Sequence, residues 1–138
     1  MDKIRYLLDT NICIYYLNGQ FALNSKIAEI ELGNCFISEI TILELFYGIA
    51  NSDPDKKERN LQKLQQFESA FQNRVCPIRP TFVHYATQKA RLRKAGTPVS
   101  DFDILIASAA LTNNYILVTR NVKEMQRIEG LIIENWVD

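Results

Sequence analysis

Four acidic residues, Asp9, Glu44, Asp103 and Glu124, lie close to positions where one predicted element ends and the next begins. Carboxylates that come close together repel and raise one another's pKa, so such a cluster persists mainly when a cation neutralises it. A ligand set made only of oxygen atoms favours a hard cation, Mg²⁺ or Mn²⁺. The chemistry that suits this cluster is metal-assisted hydrolysis of a phosphodiester.

Each acid also has a purely structural interpretation. Asp9 could cap the helix that follows it, which is worth about 1 kcal/mol without any catalysis. Asp103 and Glu124 each lie three residues after a possible cap, Ser100 and Asn121 respectively, which is the spacing of a capping box. Taken singly, these acids are explained at least as well by helix capping.

Glu44 lies in a predicted helix that is apolar around most of its circumference. The exception is a stripe at helical spacing that carries Thr41, Glu44 and Gly48. That stripe could simply face water, so Glu44 alone does not indicate a site.

Short apolar runs alternate with helical patterns along the chain, which predicts one α/β domain over residues 1–138 with a mostly parallel central sheet. The predicted strands cover residues 4–8, 35–38, 75–78, 115–119 and 131–133. The predicted helices are, in chain order, one that begins near residue 12, one over 22–32, one that ends near residue 50, one with an apolar stripe at 61–71, one over 81–94, one that begins at residue 100 and one over 121–127.

The joint pattern of the acids favours a site over a set of unrelated caps. In a parallel α/β sheet, the strand ends that lead into helices lie along one edge, where ligands bind. Asp9 and the 119–124 turn share that edge, and Glu44 follows its strand by little more than one helical turn. Asp103 reaches the same crevice if its helix packs there. We therefore expect the four carboxylates to converge.

The overall charge gives no argument for nucleic-acid binding, since 16 Lys and Arg balance 16 Asp and Glu. Any basic surface must be local. One such patch lies within residues 89–94, where it could hold RNA phosphates or simply be a solvated helix face. Its members are Lys89, Arg91, Arg93 and Lys94.

Composition excludes several other classes. No stretch approaches the roughly 18 apolar residues of a membrane span, and the first residues lack the apolar region of a secretory signal, so a cytoplasmic location is expected. Three separated cysteines, Cys13, Cys35 and Cys76, are typical of reduced core residues. His84 is the single histidine, which argues against a zinc site and a serine–histidine triad, and no phosphate-binding glycine motif is present.

Six segments of the chain resemble the PIN-domain ribonucleases, specifically the VapC-type toxins of bacterial type II toxin–antitoxin (VapBC) pairs. The resemblance covers nearly the whole chain, and the order and spacing of the segments both agree. The segments are LLDTNI at 7–12, ITILELFYG at 40–48, GTPV at 96–99, DILIA at 103–107, LVTRN at 117–121 and GLIIENW at 130–136.

This resemblance implies a PIN-like three-layer α/β/α sandwich with about five strands. It implies a metal-dependent endoribonuclease whose metal-binding catalytic residues are Asp9, Glu44, Asp103 and Glu124, using Mg²⁺ with Mn²⁺ as a substitute. Supporting residues are Thr10, Asp101, Thr119 and Asn121; either Asp101 or Asp103 could point inward, and the register before Ile-Leu-Ile-Ala favours Asp103.

The resemblance further implies in-line attack of water on an RNA phosphorus, a homodimer, and inhibition by a cognate VapB-type antitoxin. The amphipathic helices around residues 22–72 would be the natural docking surface for that antitoxin.

Three alternatives stay open at the level of sequence. A receiver-like signalling domain also places acids at strand ends. Such domains resemble one another in having paired acids after the first strand, whereas Thr10 and Asn11 follow Asp9 here. A catalytically silent PIN-like binding module would keep the acids as caps. A PIN-type nuclease acting on DNA, or in RNA processing outside a toxin–antitoxin system, would use the same carboxylates.

Overall fold

The computed structural model describes residues 3–138. Residues 1 and 2, which belong to the segment interpreted above as lacking a secretory signal, lie outside the described residues. In the part of the chain that is described, five parallel strands form one sheet in the order β3-β2-β1-β4-β5, which confirms the predicted parallel α/β architecture. The strands are β1 (Tyr6–Leu8), β2 (Cys35–Ser38), β3 (Val75–Cys76), β4 (Ile116–Val118) and β5 (Ile133–Glu134).

Helices cover both faces of this sheet. Successive residues of β1 point to opposite faces, so Leu7 enters one core and Tyr6 and Leu8 enter the other. Within residues 3–138 the α-helices are α1 (Thr10–Leu17), α2 (Leu23–Ile30), α3 (Glu39–Ala50), α4 (Lys57–Ala70), α5 (Phe82–Ala95), α6 (Asp101–Asn113) and α7 (Val122–Met125).

The two cores define the three layers of the sandwich. Ile12, Leu23 and Phe67, from α1, α2 and α4, belong to the core that contains Leu8. Leu92 and Ile104, from α5 and α6, belong to the core that contains Leu7. Helix α3 contributes to both cores, with Ile40 on one side and Leu45 on the other, so it lies where it can contact elements of both outer layers. The expected α/β/α sandwich is confirmed.

Element boundaries differ from the predictions mainly at the ends. The predicted helix at 22–32 ends at Ile30, because Glu31 has a positive φ of 79° and is followed by a 3-10 turn at Leu32–Asn34. The strands near both sheet edges are short, and the last strand begins at Ile133 rather than at residue 131. At these edges Ile78 and Leu131 pack against the core that contains Leu7 but are not paired with a neighbouring strand.

Two further sequence predictions have a structural counterpart. Cys13, Cys35 and Cys76 are all buried and free, as expected for reduced core residues. The apolar stripe at 61–71 is a packing face, although Leu61 at its start is 38% exposed. Over residues 3–138, no helix has the length and hydropathy needed to cross a membrane.

Candidate carboxylate site

Asp9 lies at the carboxyl end of β1 and is only 3% exposed. Its backbone N–H donates to the Val118 carbonyl of β4 at 2.9 Å. The backbone N–H of Thr10 donates to Oδ1 at 2.7 Å, and the hydroxyl of Thr119 donates to Oδ2 at 2.8 Å. Asp9 therefore caps α1, as its position predicts, and is also held rigidly at the junction of two central strands.

Glu44 reaches the same junction through Thr10. The Thr10 hydroxyl donates to Glu44 Oε1 at 2.7 Å and lies 2.9 Å from the hydroxyl oxygen of Thr41. Thr41 is fully buried and Glu44 is half-buried. The interpretation of this stripe as water-facing is therefore wrong for Thr41 and Glu44, because both contact Thr10 of α1, while Gly48 at the end of the stripe is exposed.

The outward face of α3 is apolar instead. Leu43, Phe46 and Tyr47 are 50%, 45% and 71% exposed. Next to Glu44, a groove of about 350 Å³ runs between α1, α3 and α4. An apolar surface beside a polar site is the arrangement expected of a binding surface rather than of a solvated helix.

Asp103 enters from the start of α6. Ser100 caps this helix, with its hydroxyl oxygen 3.3 Å from the backbone nitrogen of Asp103, so the predicted cap is confirmed. The Asp103 side chain is half-buried, and burial, followed by the charge of Glu124, raises its pKa.

Glu124 lies on the short helix α7 beside Asn121. The side chain of Asn121 does not cap α7, so the predicted capping role of that residue is wrong. Its amide instead donates to Glu124 Oε2 at 3.4 Å, while its backbone N–H donates to the Thr119 hydroxyl oxygen at 2.9 Å. Thr119 thus links the Asn121 turn to Asp9, since its hydroxyl accepts from one and donates to the other.

The acids act on one another electrostatically. The pKa of Asp9 is raised to about 6, first by burial and then by the negative charges of Asp103 and Glu44, against the opposing hydrogen bonds from Thr119 and Thr10. The charge of Glu124 acts in turn on Asp103. The charges of two predicted acids thus act on Asp9, and that of the fourth acts on Asp103, so the four predicted acids are linked in a chain of repulsions.

The donor set fits a hard divalent cation. It consists of carboxylate and hydroxyl oxygens, and each Asp9 oxygen accepts one hydrogen bond, so lone pairs stay free on both. Within residues 3–138, no three His, Cys, Asp or Glu side chains are already close enough to share an ion. The side chains of Glu44, Asp103 and Glu124 would have to turn toward Asp9 to do so.

Asp101 has a different environment from Asp103. Its Oδ1 accepts from Lys89 Nζ at 2.7 Å and from the Tyr85 hydroxyl at 2.8 Å on the exposed surface of α5 and α6. These two hydrogen bonds lower its pKa. Asp101 is thus held by a surface cation, whereas Asp103 is the acid whose charge acts on Asp9.

The predicted basic patch divides between two faces of α5. Lys89, Arg93 and Lys94 line one shallow depression. Arg91 faces the other way, donating to Gln88 Oε1 at 3.0 Å and to the Arg127 carbonyl. Phosphate binding by the first three stays a prediction, and Arg91 does not lie on their face because positions 89 and 91 are about 200° apart on a helix.

Sequence reasoning missed Thr41 as a member of the site. A signal was present, because Thr41 precedes Glu44 by one helical turn and both interrupt an apolar helix. Only the contact with Thr10 distinguishes that signal from a solvated stripe.

A parallel α/β sandwich with carboxylates at the carboxyl edge of its sheet is the arrangement that the resemblance to PIN-type domains predicts. The profile of the PIN domain family matches residues 6–131. The chain belongs to the PIN-domain family.

Within that family the chain groups with VapC-type ribonucleases. It is 39% identical over 135 residues to ribonuclease VapC2 of Rickettsia felis, covering 95% of this chain and 97% of that protein. It is 33% identical over 133 residues to the tRNA(fMet)-specific endonuclease VapC of Shigella flexneri, covering 96% and 98%.

The fold agrees with solved structures of the same group. A chain of the crystal structure of VapBC2 from Rickettsia felis, bound to a promoter DNA fragment, superposes with a TM-score of 0.84 at 36% identity. The match covers 96% of this chain and 99% of that chain.

Proposed function

We propose that this protein is a Mg²⁺-dependent endoribonuclease toxin that hydrolyses RNA phosphodiesters at the site formed by Asp9, Glu44, Asp103 and Glu124. The observation that carries the proposal is the environment of Asp9, which is almost fully buried, fixed through both oxygens, and repelled by the charges of two other acids. Such an arrangement costs stability, and functional sites are where proteins retain costs of this kind.

The chain's own residues would position the reaction. Thr119 and the Thr10 backbone fix the direction of the Asp9 carboxylate, and the Thr10 hydroxyl fixes Glu44. Asp103 and Glu124 would close the site from α6 and α7. Bound Mg²⁺ or Mn²⁺ would neutralise these carboxylates and supply Lewis-acid activation of water and of the phosphate. Preorganised side chains of this kind contribute position and charge rather than covalent chemistry.

The proposed substrate is RNA, with tRNA first among the candidates. This choice is supported by the relative named as a tRNA(fMet)-specific endonuclease, which matches over nearly the full chain. A cytoplasmic location follows from such a substrate. Base specificity depends on loop shape and local contacts, so the particular tRNA is left to experiment.

The proposed partner is a VapB-type antitoxin, and a homodimer is the proposed assembly. Support for the antitoxin comes from the superposition on a VapBC2 structure and from the apolar surface beside the site. The groove between α1, α3 and α4 reaches Glu44 itself, so a segment docked there would obstruct the carboxylate site. The predicted docking region at 22–72 includes α3 and α4 of this groove.

Cleavage assays on a substrate panel test the proposal. Purified protein is incubated with mixed tRNA, a structured RNA, single-stranded DNA and duplex DNA, each with Mg²⁺, with Mn²⁺ and with EDTA. Metal-dependent cleavage of RNA that Asp9→Asn abolishes is the expected result. Asp101→Asn is the matched control, since it removes a nearby but exposed acid.

Other outcomes lead to the alternative functions. Cleavage of DNA with RNA left intact would replace the proposal with a DNA nuclease. Failure to cleave any substrate with either metal, together with binding to an antitoxin-like partner, would indicate a silent binding module. A phosphoryl adduct formed from a small phosphodonor would indicate a receiver-like domain.

A further inference from the structure

Arg120, Tyr15 and Phe21 form a cluster of one cation and two aromatic rings beside the carboxylate site. None of these three side chains has been given a role in that site. The Arg120 guanidinium donates from Nη1 to the Tyr15 hydroxyl and from Nε to Asp138 Oδ2, both at 3.2 Å. Its Cζ lies 5.7 Å from the Tyr15 ring centroid and 5.3 Å from that of Phe21. The two rings meet edge to face with centroids 4.8 Å apart.

This cluster shares its framework with the site. Arg120 directly follows Thr119, and its backbone nitrogen lies 3.4 Å from Asn11 Oδ1. Tyr15 is six residues after Asp9 on the same helix, which places it about 9 Å farther along the helix axis. The cluster is therefore close enough to Asp9 for a strand whose phosphate reached that carboxylate to contact the cluster with a neighbouring nucleotide.

The loop between α1 and α2 holds Phe21 in an unusual way. Phe21 and Ala22 have φ values of 58° and 52°, so two consecutive non-glycine residues occupy the left-handed region. That conformation costs free energy. Yet Phe21 stays 43% exposed, so the loop presents the ring at the surface beside Arg120 instead of burying it in the core.

We propose that Tyr15, Phe21 and Arg120 form a nucleotide-binding subsite for the unpaired RNA strand next to the scissile phosphate. This inference rests on the proposed ribonuclease function. An exposed aromatic ring stacks any base, and an arginine fork binds phosphate oxygens. In the free protein the Asp138 carboxylate takes the place of that phosphate on Arg120, so Asp138 competes with the strand.

Binding of a short RNA tests the subsite. The probe is a fluorescent oligouridine of about eight nucleotides, within the range that one single-strand-binding surface covers. Anisotropy is measured in an Asp9→Asn background, so that cleavage cannot consume the probe. Arg120→Ala and Phe21→Ala should each weaken binding about tenfold. Asp138→Asn should tighten binding about threefold, because it removes the competing carboxylate.

The opposite effects expected of Arg120→Ala and Asp138→Asn on RNA affinity separate a binding role from a structural one. If the ion pair only anchored the carboxyl-terminal segment, Arg120→Ala and Asp138→Asn would lower the melting temperature together and leave RNA affinity alone. Arg120→Lys should recover only part of the affinity, since it keeps the charge but loses the planar fork. Arg59→Ala, which removes an exposed arginine from α4, is the matched control and should have no effect.

Different results would overturn the nucleotide-binding subsite and the proposed ribonuclease function. Cleavage that depends on Asp9 but is unchanged in KM and affinity by Arg120→Ala would overturn the subsite alone. A parent protein that does not bind the probe would overturn it as well. If Arg120→Ala weakened only the binding of an acidic antitoxin peptide, and not the binding of RNA, the cluster would be assigned to the protein partner instead. RNA binding with the predicted signs but without cleavage would sustain the subsite and overturn the proposed catalysis.

Discussion

Asp103 and Asp101 lie two residues apart at the start of α6, yet they belong to two regions with opposite electrostatics. Asp101 is exposed and paired with Lys89, and its pKa is lowered. Asp103 is half-buried and faces another acid, and its pKa is raised. The difference shows what distinguishes a site from a surface. The acid at the surface already has a cation from the chain, whereas the charge that acts on the acid at the site is that of another acid.

The largest expected effect comes from exchanging these two acids separately for amides. Asp103→Asn should lower the rate of RNA cleavage about 1000-fold, because a metal ligand supplies several kcal/mol of charge stabilisation. Asp101→Asn should leave the rate nearly unchanged. Single-turnover cleavage at saturating Mg²⁺ measures both. Equal losses in the two variants would remove the distinction between the regions.

The second prediction concerns the stability of the metal-free protein. Asp9 has a folded pKa of about 6, above its unfolded value of 3.8, so the folded state binds the proton more tightly. Protonation of Asp9 therefore stabilises the folded state; this contribution is complete below about pH 4 and is lost as the pH rises through about 6. It amounts to about 3 kcal/mol at most, at 1.36 kcal/mol per unit of pKa difference.

Urea unfolding in EDTA between pH 4 and 7.5 measures this dependence. Asp9→Asn should flatten the decline, because the amide carries no charge at any pH, and it should be at least as stable as the wild type at pH 7.5. A wild-type stability that rises through pH 6 to the same extent in both proteins would contradict the repulsion inferred for Asp9.

A smaller effect is expected from Thr119, which holds Asp9 Oδ2 and also accepts from the Asn121 backbone. Thr119→Val should lower cleavage about 10- to 100-fold, the usual cost of removing a group that orients a metal ligand. Thr119→Ser keeps the hydroxyl and should retain most of the activity. If valine and serine behaved alike, the hydroxyl would have no orienting role.

The smallest effect is expected at the surface region. Lys89→Ala removes the cation that pairs with Asp101, but exposed ion pairs of this kind contribute little to stability. The melting temperature and the cleavage rate at saturating RNA should both stay close to the wild type. A small increase in KM for RNA, without a change in melting temperature, is expected from the predicted phosphate contact; an unchanged KM would remove Lys89 from the predicted RNA-binding patch.

Local pattern predicted much of the fold. The alternation of short apolar runs with helical segments depends on side-chain periodicity, which is encoded within a few residues, and it located the strand that ends at Leu8 and the cap at Ser100. The exact ends of the outer strands were not predictable, because they depend on which residues find a partner in the neighbouring strand. Val75 and Cys76 pair with β2, while Ile78, two residues further on, does not.

Sequence pattern predicted the positions of the candidate acids in the fold better than their contacts. Asp9 follows a strand end, which local pattern shows, but the burial of Thr41 and the exposure of Tyr47 depend on how α3 rotates against α1. That rotation is decided by packing between elements far apart in sequence. The same holds for Asp101, whose partner Lys89 lies on another helix.

Metal binding tests the central claim most directly, since the claim is that Asp9 and the three half-buried acids near it form one cation site. Mn²⁺ is titrated calorimetrically into the wild type, Asp9→Asn and Asp101→Asn. Saturable binding in the wild type and in Asp101→Asn, with loss in Asp9→Asn, is the predicted result. Binding that is absent in the wild type, or equal in all three proteins, would contradict the account.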